Sequence, residues 1–338
     1  MARRLHDDGG TMTGKFIDMF AGMGTVRIGF EKAGWMCVSA IEFDPHKREI
    51  YEVIFGHEPE FGDITAVRGA DLPSADCWCF GAPCQDFSVA GLRAGLDGER
   101  SGLVREVFRL VREKAPADRP EWLLYENVKG MLSSNSGWDF AAIQAEMGQC
   151  GYDVQWQLLN SKYFGVPQNR DRVYTLGRLR ARGARKVFPL AESDGVSAES
   201  RTGAREENQC AAAVTKDYAK APNARGENYV RQVGNVMPTA TRDNPNASGI
   251  YTNVSPEYYR GPLKGLSRTV KADGGHPVGV MMDDCIRKLT PRECMRLQGV
   301  PDSITDKLIA AGISDTQLYR AAGDACTVNV IYEIARRM

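Results

Sequence analysis

The stretch Lys15-Phe16-Ile17-Asp18-Met19-Phe20-Ala21-Gly22-Met23-Gly24-Thr25 decides the fold class. It begins with a mostly apolar run typical of a buried strand, and two glycines then mark a turn. A helical pattern follows from Thr25 to Ala33 and stops at Gly34, and Cys37 to Ile41 form a second apolar run. A strand, a glycine turn, a helix and a second strand predict an α/β fold.

The second strand closes on Glu42, 20 residues after Gly22. In nucleotide-binding βαβ units, glycines let the ligand approach the first turn, and an acid at this interval accepts hydrogen bonds from ribose hydroxyls. Arg27 stands where a dinucleotide fingerprint carries its third glycine, which disfavours NAD or FAD. The pattern therefore predicts a nucleoside site, although an ordinary tight turn stays open as an alternative.

Cys84 is the candidate nucleophile. It follows the short apolar run from Ala75 to Phe80, so it comes at the carboxyl end of a predicted strand, where open α/β sheets bind their ligands. Pro83 fixes its own φ and biases Ala82 toward extended geometry, which makes the backbone here stiff. The alternative is that Cys84 is one more small buried residue, as free cysteines commonly are.

Two further segments carry charged side chains at predicted strand ends. The run from Glu121 to Val128 contains Glu126 near its end, and Glu126 shares a sheet edge with Cys84 if the two strands are parallel. Arg170 and Arg172 come at the start of a strand over residues 172–177 and are expected on one extended face. Asp63, after Gly62 at another expected strand end, is either an adenine contact or a helix cap.

Composition and charge narrow the class of protein. The chain has 338 residues, 43% of them hydrophobic, with a polar amino terminus and no apolar run long enough for a membrane helix. Its nine cysteines are scattered, which favours reduced thiols in the cytoplasm and gives no metal-ligand spacing. The net charge is zero, but residues 178–300 hold 20 Lys and Arg against 13 Asp and Glu. One part of the chain is therefore suited to a polyanion.

The same pattern predicts the domain organisation. Residues 1–14 are expected as a flexible tail, residues 15–178 as the main α/β domain, residues 179–285 as a smaller lobe, and residues 286–338 as a return to the first domain. Short strands at residues 228–233 and 266–270 and a flexible portion near 191–208 are expected in the lobe. Thr290-Pro291-Arg292-Glu293 predicts a capped helix start. Gly323-Asp324-Ala325 is interpreted as a glycine turn before a terminal helix that packs on the first domain.

A cysteine, a glutamate and an arginine near a nucleoside site suit alkylation of cytosine at C5. This carbon is too weak a nucleophile by itself, but a thiolate that adds at C6 turns the ring into an enamine, and covalent catalysis divides the barrier. The addition pushes electrons onto N3 and O2, where a carboxylic acid and a guanidinium stabilise them.

On these residues the chain resembles DNA (cytosine-5) methyltransferases of the bacterial and phage type. The segments that carry the resemblance follow one another in the family's order: residues 18–24, Glu42, 62–64, 83–88, 126–128, 168–172 and 290–293. The resemblance implies a Rossmann-like catalytic domain that uses S-adenosylmethionine and a smaller target-recognition domain. The latter is expected over residues 179–285, reading duplex DNA from the major groove and helping to extrude the cytosine.

The resemblance also implies residue roles. Cys84 is the nucleophile, Glu126 the partner of N3, and Arg172 the partner of O2, with Arg170 in support. Substrate contacts fall on Pro83, Gln85, Ser88 and Gln168. Cofactor contacts fall on Phe20, Ala21, Gly22, Gly24, Glu42, Phe43, Asp63, Ile64, Leu103, Asp324 and Ala325. A monomer is expected, without a metal or a membrane, in a restriction-modification setting.

Two positions depart from the family pattern. Thr25 replaces a second consecutive glycine, and Asp324 replaces the usual asparagine. Three alternatives remain at this point: a methyltransferase that modifies cytosine-5 in transfer RNA, a catalytically silent DNA-binding homologue, and a folate-dependent pyrimidine enzyme. Competition between duplex DNA and transfer RNA, and binding of labelled S-adenosylmethionine, distinguish them.

Overall fold

The structure is a computed structural model that describes residues 12–81, 102–191, 250–252, 278–282 and 285–338. The chain divides into two compact units. Unit 1 comprises Met1–Leu159, Asp171–Ala191 and Cys326–Met338, and unit 2 comprises Asn160–Arg170 and Glu192–Ala325. The functional boundaries predicted at residues 179 and 286 stay predictions.

A six-stranded sheet organises unit 1. In chain order its strands are β1 (Gly14–Met19), β2 (Trp35–Ile41), β3 (Cys77–Phe80), β4 (Trp122–Val128), β5 (Tyr152–Asn160) and β6 (Asp171–Leu179). The spatial order is β2-β1-β3-β4-β6-β5. Strands β1, β2, β3 and β4 are parallel, whereas β6 runs antiparallel to β4. The α/β prediction is confirmed, and the carboxyl ends of β1 to β4 share one edge with the start of β6.

The described part of unit 1 contains five helices: α1 (Thr25–Lys32), α2 (Pro45–Phe55), α3 (Leu103–Glu113), α4 (Trp138–Gln149) and α8 (Val328–Ala335). The apolar face of α3 is buried against the sheet, where Val107 and Phe108 pack with Trp78 and Phe80. Burial of this apolar surface is the main favourable contribution to folding.

Helix α8 packs on α1, as the sequence predicted. A Cβ built on Gly29 would lie 2.6 Å from Cγ2 of Ile331, so the two helices approach more closely than any larger residue allows. The indole of Trp35 donates from Nε1 to the carbonyl of Ala335 at 3.2 Å. The last helix is therefore part of unit 1.

The described part of unit 2 contains strands β7 (Ile250–Thr252), β8 (Val278–Met282) and β9 (Cys285–Lys288), which form an antiparallel sheet in that order. Three helices follow: α5 (Pro291–Leu297), α6 (Asp302–Ala310) and α7 (Asp315–Asp324). Short 3-10 helices occur in both units at Ile64–Ala66, Gly69–Asp71, Pro116–Asp118, Lys129–Gly137, Ser161–Phe164 and Arg180–Arg182. The strands expected at residues 228–233 and 266–270, and most of the flexible portion near 191–208, lie outside the described residues.

The predicted start of α5 is confirmed. The hydroxyl of Thr290 accepts from the backbone N–H of Glu293 at 3.2 Å, and the carboxylate of Glu293 accepts from the N–H of Thr290 at 2.7 Å. The predicted glycine turn at residue 323 is wrong, because Gly323 and Asp324 lie in the last turn of α7. The capping box at Ser314 and the buried Leu318 keep the helical pattern running through the glycine.

No helix in the described ranges is both long and apolar enough to cross a lipid bilayer.

Candidate active site

The turn after β1 adopts the left-handed conformation that its glycines predict. The φ angles are 60° at Phe20, 58° at Gly22 and 84° at Gly24. A Cβ on Gly24 would lie 2.3 Å from the ring of Phe55, whereas a Cβ on Gly22 would meet nothing within 4 Å. Phe20 is not a glycine, and a strained residue of this kind persists only where the surrounding fold holds it. The turn therefore leaves open space at Gly22.

The carboxylate of Glu42 fixes this turn to the one after β2. Its Oε2 accepts from the N–H of Gly22 at 2.7 Å, and its Oε1 accepts from the N–H of Asp44 at 2.9 Å. Glu42 is buried, and a buried carboxylate is stable only with such donors. The interval between Gly22 and Glu42 in the sequence does bring the two residues together.

A third segment joins them. The N–H of Glu42 donates to the carbonyl of Phe61 at 3.1 Å, and Ile41 and Phe61 form an isolated parallel bridge. The strand expected before Asp63 is thus a single bridge, and the chain turns at once into a short 3-10 helix. Asp63 caps this helix, because its Oδ1 accepts from the N–H of Thr65 at 2.9 Å and from its hydroxyl at 2.8 Å.

Apolar residues border these polar groups. Phe43, next to Glu42, exposes 73% of its surface, while Ile64 is buried in the core and Leu103 packs against it. An exposed aromatic ring beside a fixed carboxylate is suited to a planar base attached to a sugar. Glu42 contacts the open turn at Gly22 directly, and Phe43, Asp63 and Ile64 lie on the two chain segments joined to it.

Thr25, the first departure from the family pattern, has a structural partner. Its buried hydroxyl accepts from the backbone N–H of Cys326 at 3.1 Å. This bond joins the first turn of α1 to the residues that lead into α8. The threonine therefore contributes a contact to unit 1 that a glycine lacks.

Glu126 and Arg172 form an ion pair at the carboxyl edge of the sheet. Nε of Arg172 lies 3.0 Å from Oε1 of Glu126, and each side chain exposes 14% of its surface. The other carboxylate oxygen of Glu126 lies 3.4 Å from where a Cβ on Gly81 would stand, at the end of β3. Gly81 precedes Cys84, the predicted nucleophile, by three residues in the sequence. Pro83, Cys84, Gln85 and Ser88 themselves lie outside the described residues.

Arg170 lies directly before β6, which begins at Asp171. The N–H of Arg170 bonds to the carbonyl of Gln168 at 3.1 Å, and the N–H of Gln168 bonds to the carbonyl of Val166 at 2.8 Å, so two-residue turns lead into the strand. The expectation that Arg170 and Arg172 share one face stays a prediction. Arg170 is buried, and its Nη2 donates to the carbonyls of Gly323 at 3.1 Å and Ala325 at 2.9 Å.

Three other predicted site residues lie in unit 2. Gln168 is fully buried, and its Nε2 donates to the carbonyl of Leu297 at 2.9 Å. Asp324 is exposed at the end of α7, and Ala325 follows it, buried. Their predicted substrate and cofactor roles stay predictions.

A buried polar cluster under the glycine turn was missed by sequence reasoning. Arg27 donates from Nη1 to the hydroxyl of Tyr51 at 2.8 Å, and its guanidinium carbon lies 4.0 Å from the ring centre of Phe55. Burial raises the pKa of Asp18 well above its usual value and raises the pKa of Cys37 to about 12. The one signal in the sequence was Arg27 itself, a charged residue at the position where a dinucleotide fingerprint carries its third glycine.

No group of three or more His, Cys, Asp or Glu side chains suited to a metal ion occurs within the part of the chain that the structure describes.

A methyltransferase-type α/β unit with a charged pair at its carboxyl edge defines the class of protein, and comparison with known families agrees. The profile of the C-5 cytosine-specific DNA methylases matches residues 14–338. The chain belongs to this family. The resemblance predicted from the sequence is confirmed.

Individual relatives cover nearly the whole chain. Type II methyltransferase M.NlaX of Neisseria lactamica is 33% identical over 331 residues, which is 96% of each chain. Type II methyltransferase M.HhaI of Haemophilus parahaemolyticus is 30% identical over 326 residues, 95% of this chain and 93% of the relative. A putative DNA modification methyltransferase encoded within an Escherichia coli prophage shares the fold with a TM-score of 0.65 at 18% identity, covering 95% of this chain and 97% of that one.

Proposed function

We propose that the protein methylates C5 of cytosine at a defined site in duplex DNA, with Cys84 as nucleophile and Glu126 and Arg172 as the groups that stabilise charge on the ring. The observation that carries this proposal is the ion pair of Glu126 and Arg172 beside Gly81. This pair supports the proposal because the two charged groups that the chemistry requires, one from β4 and one from β6, meet near Gly81, which precedes Cys84 by three residues in the sequence.

The roles follow from electron flow. The Cys84 thiolate forms a bond to C6, and the displaced π electrons pass toward N3 and O2. Glu126 donates a hydrogen bond or proton at N3, and Arg172 neutralises charge at O2. Once C5 carries the methyl group, a base removes the C5 proton and the electrons expel the thiolate. The covalent bond is therefore made and broken in one cycle.

The ion pair orders the acid for this task. A guanidinium that contacts one carboxylate oxygen leaves the other oxygen directed elsewhere, and here the second oxygen faces Gly81. Because both side chains are largely buried, little water competes with their hydrogen bonds. We therefore assign Arg172 a second role, that of positioning Glu126.

S-adenosylmethionine supplies the methyl group when bound. The residues that would hold it are those of the open turn at Gly22, with Glu42 for the sugar hydroxyls, Phe43 against the base and Asp63 at the adenine edge. The donor set fits an adenosine because it combines a fixed carboxylate, an exposed aromatic ring and a turn without a side chain at Gly22. Asp324 and Ala325 are proposed as further cofactor contacts, as the family resemblance implies.

The proposal includes the recognition domain over residues 179–285, which reads the target sequence and helps extrude the cytosine. The Lys and Arg of this domain beyond residue 191 are suited to phosphate contacts with the target DNA. We further propose that the protein acts as a monomer in the cytoplasm without a metal, in a restriction-modification setting like that named for its type II relatives.

Incubation with methyl-labelled S-adenosylmethionine and unmethylated genomic DNA, followed by nucleoside analysis and single-base mapping, tests the proposal. We expect label in 5-methylcytosine within one short sequence. Label in transfer RNA, with unlabelled DNA in the same mixture, would show that RNA is the substrate. A protein that binds the cofactor and labels neither polymer would be a silent homologue.

A further inference from the structure

A dense group of cations follows strand β6. Residues 178–186, which we name the arginine segment, carry five basic side chains and no acid. These are Arg178, Arg180, Arg182, Arg185 and Lys186. The whole segment belongs to unit 1.

The arginine segment lies at the opposite edge of the sheet from the candidate active site. Strand β6 is antiparallel to β4, with Arg172 opposite Val128 at one end and Arg178 opposite Trp122 at the other. Six residues of extended chain separate the two arginines, roughly 20 Å at about 3.3 Å per residue. A side chain of the segment therefore cannot contact a cytosine held by Glu126.

Two of the arginines hold the segment in place. Arg178 is buried over the ring of Trp122, with 4.5 Å from its guanidinium carbon to the ring centre, and it pairs with Glu121. It also donates to the carbonyls of Gly183 and Arg182, both at 3.1 Å. Arg180 pairs with Asp153 at 2.8 Å. Both local carboxylates are thus already engaged.

The remaining three cations point to solvent with little compensation. Arg182 is 3.9 Å from Glu121, at the limit of an ion pair, and Arg182, Arg185 and Lys186 are all exposed. Among the described residues, no carboxylate pairs with Arg185 or Lys186. Burial, and the like charges of Arg185 and Arg182, lower the pKa of Arg178. The positive charge here exceeds what the neighbouring acids neutralise.

The backbone that presents these cations is fixed. Oε1 of Gln155, on β5, accepts from the N–H groups of Val187 and Phe188, both at 2.9 Å, and its Nε2 donates to the carbonyl of Arg185 at 3.0 Å. A groove of about 200 Å³ runs beside them, lined in part by Gln155, Arg178, Arg185 and Lys186. Cations carried on a fixed backbone lose less entropy on binding an anion than cations on a flexible tail do.

We propose that the arginine segment binds the phosphate backbone of a second segment of duplex DNA, apart from the one that carries the target cytosine. The choice of DNA as the polyanion rests on the proposed function. The basic surface itself is observed in the structure and does not depend on that function. Exposed cations on a fixed backbone are suited to the phosphates of a duplex, and such contacts are independent of base sequence. The consequence is a protein that stays on long DNA between target sites.

The variant Arg185→Glu/Lys186→Glu tests this proposal against the charge-matched control Lys307→Glu/Arg320→Glu. The control residues are exposed on α6 and α7 and have no ion pair with the described residues. Fluorescence anisotropy would measure binding of the full-length protein to nonspecific DNA duplexes of about 12 and about 60 base pairs, at salt concentrations from 50 to 200 mM. Circular dichroism would check that each variant is folded.

We expect the double variant to lose affinity for the long duplex only. The slope of log K against the logarithm of the salt concentration should fall in magnitude by about 1.8. Raising the salt from 50 to 200 mM then weakens DNA binding by about tenfold less than it does for the wild-type protein. An unchanged slope overturns the proposal, and so does an equal loss on both duplexes, which would place the cations on the DNA at the active site. Binding of inorganic phosphate at millimolar concentration, with DNA binding unchanged in the double variant, would overturn the proposal and identify a small-anion site instead. Methylation of genomic DNA by the wild-type protein tests the proposed function separately.

Discussion

The two edges of the central sheet hold charge in different ways. At the carboxyl edge, Glu42 and Glu126 are largely buried, and each is held by a fixed donor: the N–H of Gly22 for one and the guanidinium of Arg172 for the other. At the amino edge, the arginine segment presents exposed cations to solvent. Buried, fixed groups suit chemistry that depends on geometry, whereas exposed charges suit binding that depends on charge and salt.

This contrast predicts different consequences of mutation at the two edges. A change at the carboxyl edge should alter catalytic rates or cofactor affinity at any salt concentration. A change at the amino edge should alter binding of DNA, mainly at low salt, and leave the chemical step intact.

The largest effect is expected for Cys84→Ser. A hydroxyl has a much higher pKa than a thiol and is a poor nucleophile without a dedicated base, so methyl transfer should fall by at least about 10³-fold. Product 5-methylcytosine is measured by nucleoside analysis. Binding of S-adenosylmethionine, followed by isothermal titration calorimetry, should stay near the wild-type value. Turnover that persists in this variant would refute the covalent mechanism.

The next effect is expected for Glu126→Gln, which should slow methyl transfer by about 10²-fold or more, because a positioned acid is lost. The matched control is Glu121→Gln, since Glu121 precedes the same strand at its other edge. Single-turnover rates compare the two. If both variants lose activity equally, the catalytic role is not confined to the carboxyl edge of the sheet, and the proposed difference between the two edges is wrong.

Arg170 and Arg172 should separate stability from catalysis. Arg170→Ala leaves the buried carbonyls of Gly323 and Ala325 without their donor and should destabilise the fold by on the order of 2–4 kcal/mol. Arg172→Ala should lower the single-turnover rate and change the thermal midpoint much less. Thermal denaturation and rate measurements on both variants check this. The reverse outcome would assign the catalytic role to Arg170.

Glu42→Gln should weaken the cofactor site about tenfold, equivalent to about 1.4 kcal/mol. One oxygen of the amide can still accept a hydrogen bond, but its NH₂ group then faces the N–H of either Gly22 or Asp44. The KM for S-adenosylmethionine should rise while kcat at saturation changes little. A drop in kcat alone would exclude Glu42 from cofactor binding.

Cys37 should be inert to alkylation in the folded protein. Burial raises the pKa of its thiol to about 12, so the reactive thiolate becomes the major form only above that pH. At pH 8 iodoacetamide should label Cys37 only after denaturation, as read by peptide mass spectrometry. Rapid labelling of the native protein at this position would contradict the buried cluster beneath the glycine turn.

The carboxyl edge could be predicted largely from the sequence. Glycines in left-handed turns and apolar runs that end in a charged residue are local signals, and they placed Gly22, Glu42 and Glu126 at strand ends as the structure has them. The capped start of α5 rests on the same kind of local pattern.

What the sequence could not predict depends on long-range packing. The direction of β6 decides that Arg172 meets Glu126 and that the arginine segment lies at the far edge, yet no local pattern states whether a strand is parallel. The buried hydrogen bonds from Arg170 to the carbonyls of Gly323 and Ala325 likewise join residues that are 153 and 155 positions apart, and no local pattern announces them. Gly323 continues a helix because of the buried residues around it, which a glycine by itself does not reveal.

The most direct test of the account is to trap the covalent intermediate. A duplex that carries 5-fluorocytosine at the mapped target position lacks the C5 proton whose removal releases the enzyme. With S-adenosylmethionine, the wild-type protein should form a denaturation-resistant complex with this duplex, and peptide mass spectrometry should place the bond at Cys84. The Cys84→Ser variant should form none. A complex that survives in this variant, or methylation of ordinary DNA without any trapped complex, would contradict the mechanism.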